Sequence, residues 1–164
     1  RDVAPSRGLG DVYKRQNNYK VCGITLIDKY ILDESAIKIR FNRLCEQFEN
    51  NPKYIPNTEP DKEQTIPDDE HLSYEMGVNN KRYAAFYSQL PDSVTKEQAL
   101  GYLTGPIGEV SPEKMLERAS ILRKCYMAAQ NKRVGFMLVE ESAGKYRIYM
   151  FYENEYNKAN GEDL

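Results

Sequence analysis

The chain has 164 residues, of which 40% are hydrophobic and 29% charged, with a formal net charge of −2. That balance fits a globular fold with a real core and lacks the basic excess usual in DNA-binding domains. The longest apolar run, 134–139, is strand-sized and far short of the roughly 18 residues that span a bilayer, so no membrane partner is expected. Cys22, Cys45 and Cys125 lie far apart without a CxxC pair, which argues against a disulfide framework and points to a reducing, cytoplasmic setting.

The chain opens on Arg1, and its first methionine is Met76. Residues 6–16 read SRGLGDVYKRQ, and the part GLGDVYKRQ resembles translated sequencing-adapter sequence that recurs at the ends of proteins predicted from metagenome assemblies. The resemblance implies that 1–16 is a non-native tail on a bacterial metagenome fragment that is truncated at its N-terminus. Such a tail is expected to make few core contacts and to stay out of any sheet. No functional family is recognised for 17–164.

Val21, Ile24, Leu26 and Ile27 mark 19–31 as a strand. In 33–51, Ile37, Phe41, Leu44, Cys45 and Phe48 form a helical stripe, although Ile37, Ile39 and Phe41 also alternate; the longer pattern favours a helix over 35–49. The stretch 51–75 holds four prolines as far as His71. From 59 to 75 it gathers Glu59, Asp61, Glu63, Asp68, Asp69, Glu70 and Glu75 against Lys62 alone, and 51–75 reads as a mobile acidic loop. Tyr83, Phe86, Tyr87 and Leu90 are spaced for a helix over 79–90 closed by Pro91. Thr95 and Gln98 form a capping box at the start of a helix over 95–103.

The helix over 111–132 has Ser111 as N-cap and Pro112 at the first position, with a stripe of Met115, Ala119, Leu122, Tyr126 and Ala129 expected to face the core. Its other face is basic. Two apolar runs, 133–141 and 146–155, flank the Gly-containing turn 142–145 and read as a hairpin covered on both faces, with 19–31 as its neighbour. The sum is a single α+β domain over 17–155: a small antiparallel sheet with about four helices, followed by a polar tail over 156–164.

No motif commits this sequence to a chemistry. Asp68, Asp69, Glu70 and His71 are adjacent and cannot easily converge on one ion. The C-terminal residues 153–163 miss the spacing of a calcium loop, and the glycines of 101–111 lack the GK[ST] ending of a P-loop. Cys125 lies mid-helix and His71 in the acidic segment, which is a poor nucleophile–base pair. No catalytic residue, cofactor or metal site is assigned, and enzyme function is the least favoured reading.

The leading expectation is a non-enzymatic protein-binding or accessory module with a protein partner. The alternative is nucleic-acid binding, because helices followed by a hairpin resemble the element order of a winged helix. The candidate nucleic-acid or partner face is Lys114, Arg118, Lys124, Lys132, Arg133 and Lys145.

Overall fold

The computed structural model describes residues 9–17, 20–57, 64–105 and 111–154. Among them are six strands and four helices: β1 (Leu9–Asn17), β2 (Lys20–Asp28), α1 (Glu34–Glu49), β3 (Tyr54–Pro56), α2 (Leu72–Gly77), β4 (Ala84–Gln89), α3 (Lys96–Thr104), α4 (Pro112–Asn131), β5 (Lys132–Ser142) and β6 (Lys145–Asn154). The strands form one antiparallel sheet in the order β1-β2-β6-β5-β4-β3. The protein is an α+β fold, and β2 pairs with the β5–β6 hairpin as its sequence suggested.

Helix α1 starts where Asp33 accepts a hydrogen bond from the Ala36 amide. Its stripe then buries Ile37, Phe41 and Cys45 against one face of the sheet. Strand pairing aligns Ala85, Phe136 and Met150 on that face, with Tyr87 and Val134 in the next row. Phe41 meets Phe136 edge-on at 5.1 Å, and Phe48 stacks on Tyr87 at 5.0 Å. These rings dominate the main core, each contributing on the order of 2–3 kcal/mol by burial.

The opposite face carries Phe86, Gly135 and Phe151 in one row. A Cβ at Gly135 would lie 2.7 Å from the Phe151 ring and 2.8 Å from the Phe86 ring, so only glycine allows the two rings to close over the strand. At the β3–β4 end of this face, Ile55 and Leu90 join Val94, Ala99, Ile121 and Cys125 in a second core under α3 and α4. The β5–β6 turn uses Gly144 at φ +71°, a conformation that favours glycine.

Three expectations are corrected. Residues 79–90 are not a helix: Asn80 sits at φ +52°, which breaks helical continuity, and β4 follows. Tyr83, Ala85 and Tyr87 are buried towards α1, while Phe86 points the other way. An apolar segment covered from both sides mimics helical spacing.

The second correction concerns the N-terminal tail. Residues 9–17 join the sheet as β1, with Val12 opposite Leu26 and Lys14 opposite Ile24. Without β1 the outer edge of β2 would present unpaired amide and carbonyl groups, and an adjoining segment able to extend satisfies them whatever its origin. Residues 1–8 lie outside the described residues.

The third correction concerns 51–75, where the irregular loop is replaced by β3, a strap over 64–71 and α2. Asn42 of α1 donates to the Ile66 carbonyl at 2.8 Å and accepts from the Ile66 amide at 2.7 Å. Lys38 Nζ donates to the Asp68 and Glu70 carbonyls at 2.7 and 2.9 Å. Residues 58–63 and the polar tail 156–164 lie outside the described residues.

Candidate partner-binding face on helix α4

Helix α4 begins as its sequence dictates. Ser111 accepts from the Lys114 amide, Pro112 takes the first position, and Glu113 sits in the first turn near the positive helix end. Its rotation about its axis is not the one the stripe implied. Ile121 and Cys125, one turn apart, are the residues that enter the second core. Arg118 lies about one turn before Ile121, and its guanidinium donates to the Tyr102 carbonyl at 2.8 Å and the Gly105 carbonyl at 3.5 Å. That bond satisfies carbonyls at the end of α3 and fixes which side of α4 faces inward.

The outward side consequently carries large apolar residues alongside the exposed Glu117, Ser120, Arg123 and Lys124. Met115 is 55% exposed, Leu116 73%, Tyr126 63% and Met127 49%. Ala119 is exposed, and Leu122 and Ala129 are only half-buried. The stripe expected to face the core therefore lies about 100° round the helix from it.

The six predicted basic residues do not form one face. Lys114 is exposed near the start of α4, whereas Arg118 is engaged with α3. Arg133 pairs with Glu153 at 2.7 Å. Lys145 stands at the β5–β6 turn, at the far end of β5 from Lys132, about 30 Å away at roughly 3.3 Å per strand residue.

Lys124 and Lys132 do come together, and Arg123 joins them. They border an open cleft of about 600 Å3 between α4 and the turn that follows β4. Leu90, Pro91, Met127 and Ala128 form its apolar lining, with Asp92 on the turn side. Arg123 was not in the predicted set, because the cleft exists only once α4 packs beside residues 89–93.

A second cleft of about 570 Å3 runs along the far side of α1, past Leu32, Ile39, Arg40 and Arg43. Arg40 is already committed there: its guanidinium makes paired hydrogen bonds to the buried Asp28 carboxylate.

The residues weighed for catalysis are dispersed. His71 is exposed at the start of α2, 3.8 Å from Glu34 in the ion-pair direction. Cys125 is buried in the second core, which pushes its thiol pKa up and disfavours the nucleophilic thiolate. Cys45 is pushed up to about 11 by the same loss of solvent. Glu70 binds Lys81 and accepts from the Tyr83 hydroxyl at 2.7 Å, and the Lys81 bond holds its carboxyl below the ordinary range. Among the described residues, no His, Cys, Asp and Glu side chains gather in a group able to hold a metal ion. No described helix is long and apolar enough to cross a membrane.

No protein-family model, curated protein or solved structure matches the chain.

Proposed function

We propose that this protein is a non-enzymatic binding module that docks a protein partner on the outward face of α4. The observation that carries the reading is the exposure of Met115, Leu116, Tyr126 and Met127 on a single helix. Large exposed apolar side chains on one element are a feature of association surfaces, and aromatic and methionine side chains are enriched at interface cores. The buried free cysteines Cys22, Cys45 and Cys125 support a cytoplasmic setting.

The nucleic-acid reading draws on Arg123, Lys124 and Lys132 at the cleft. It is weakened by Arg118 and Arg133, which are engaged within the fold, and by the distance to Lys145. A salt-dependent gel shift with nonspecific DNA addresses it, since phosphate contacts weaken steeply as salt rises.

Panning a displayed random-peptide library against the full chain tests the docking reading. Peptides are expected to be retained by the parent and lost from a Leu116→Asp/Tyr126→Asp variant. Failure to enrich any peptide, or equal retention by the variant, contradicts the reading.

A further inference from the structure

We infer that the cleft beside α4 recognises an acidic, extended peptide segment carrying an aliphatic anchor. The inference rests on the docking reading and specifies the partner's chemistry. Arg123, Lys124 and Lys132 supply positive charge along the α4 side of the cleft, and Asp92 is the carboxylate in its lining. The described ion pairs leave this group unmatched by the acidic strap: Glu70 is held by Lys81, on the α1 side of the sheet. On this inference the charge complement of the cleft lies on the partner.

The spacing sets the form of the occupant. From Lys124 to the end of α4 at Asn131 the helix advances about 10 Å at 1.5 Å per residue, and one extended step of about 3 Å leads on to Lys132, the first residue of β5. An extended peptide covers about 13 Å in four residues. Two carboxylates four residues apart thus match the two ends of the basic row. The apolar lining around Leu90 and Met127 sits between them and accepts an aliphatic side chain from the intervening residues.

Nucleic acid fits less well. A phosphodiester chain carries charge at every unit and offers no aliphatic anchor. Charged groups at such a site govern which partner is chosen and how fast it arrives, while the apolar anchor supplies most of the affinity.

Fluorescence anisotropy with the full chain tests this directly. The probe is a labelled peptide, Gly-Glu-Ala-Leu-Ala-Glu-Gly, compared with its glutamine analogue and with oligo-dT. The acidic peptide is expected to bind about tenfold more tightly than the glutamine analogue, with affinity falling as salt rises and lost in Arg123→Glu/Lys124→Glu. Both substituted positions are exposed, and Lys132→Glu provides an independent variant if the double substitution fails to fold.

Equal binding of the glutamine analogue, lost in Leu116→Asp, overturns the inference while leaving α4 as a docking face. Tighter binding of oligo-dT overturns it in favour of nucleic acid. Binding of none of the probes overturns it as well, and the library experiment then decides the docking reading separately.

Discussion

Gly135 shows how one residue governs the contact between two rings. Its hydrogen lets Phe86 and Phe151 approach at 6.5 Å between centroids across β5. Gly135→Ala is expected to destabilise the fold by about 1–3 kcal/mol through overpacking, read from the urea-unfolding midpoint.

Glu70 makes a different residue-scale contribution. Its carboxylate is faced by Lys81 and Tyr83, and Lys38 lies close enough to add favourable charge. A carboxyl whose folded pKa is depressed contributes stability in full above its unfolded pKa, about 4.3. That contribution is lost as pH falls through the lower folded pKa. The parent is therefore expected to lose more stability than Glu70→Gln between about pH 6 and about pH 3, measured by unfolding midpoints at each pH.

At the element scale, helices with sharp chemical signals were legible from their residues. Asp33, Thr95 and Ser111 cap α1, α3 and α4, and the Thr95–Gln98 capping box forms as read. The β5–β6 hairpin was legible because its apolar runs flank a glycine turn. Strand β4 was not, since Tyr83, Phe86, Tyr87 and Leu90 satisfy helical spacing while lying on two faces of a covered strand. The rotation of α4 was hidden for a related reason. Periodicity locates an apolar stripe, but which stripe enters the core depends on Arg118 reaching the end of α3 and on Ile121 meeting Leu90's cluster. The cleft was invisible because residues 89–93 and α4 are brought together only by tertiary packing.

Strand β1 also belongs to this scale. Among the described strands it lies at the sheet edge, paired with β2. The described α1 core draws its residues from Leu32 onward, and removal of 1–16 is expected to leave it intact. A chain beginning at Asn17 is expected to keep cooperative unfolding with a midpoint loss of about 2 kcal/mol or less, the range of an ordinary single perturbation. Loss of cooperative folding would show that β1 is integral to the sheet's stability.

On the scale of the whole molecule, the sheet is covered unequally. Helix α1, with the strap tied to it by Lys38 and Asn42, covers the central strands on one side. On the other side, α3 and α4 pack at the β3–β4 end. This arrangement commits Ile121 and Cys125 to the interior and leaves Met115, Leu116, Tyr126 and Met127 outward. The same packing builds the basic cleft next to that outward face, so apolar contact and charge selection fall on one helix. Because the outward residues support no described core, changing them separates binding from folding. Leu116→Asp and Tyr126→Asp are each expected to shift stability by no more than about 0.5 kcal/mol, the ordinary range for surface substitutions.

The central claim is that the outward face of α4 binds a partner, and titration calorimetry tests it most directly. A peptide enriched from the library is titrated into the parent and into folded Leu116→Asp/Tyr126→Asp. The account predicts saturable heat with the parent and an affinity weakened by at least about tenfold in the variant, equivalent to about 1.4 kcal/mol. Equal affinity for both chains would place the binding surface elsewhere and contradict the claim.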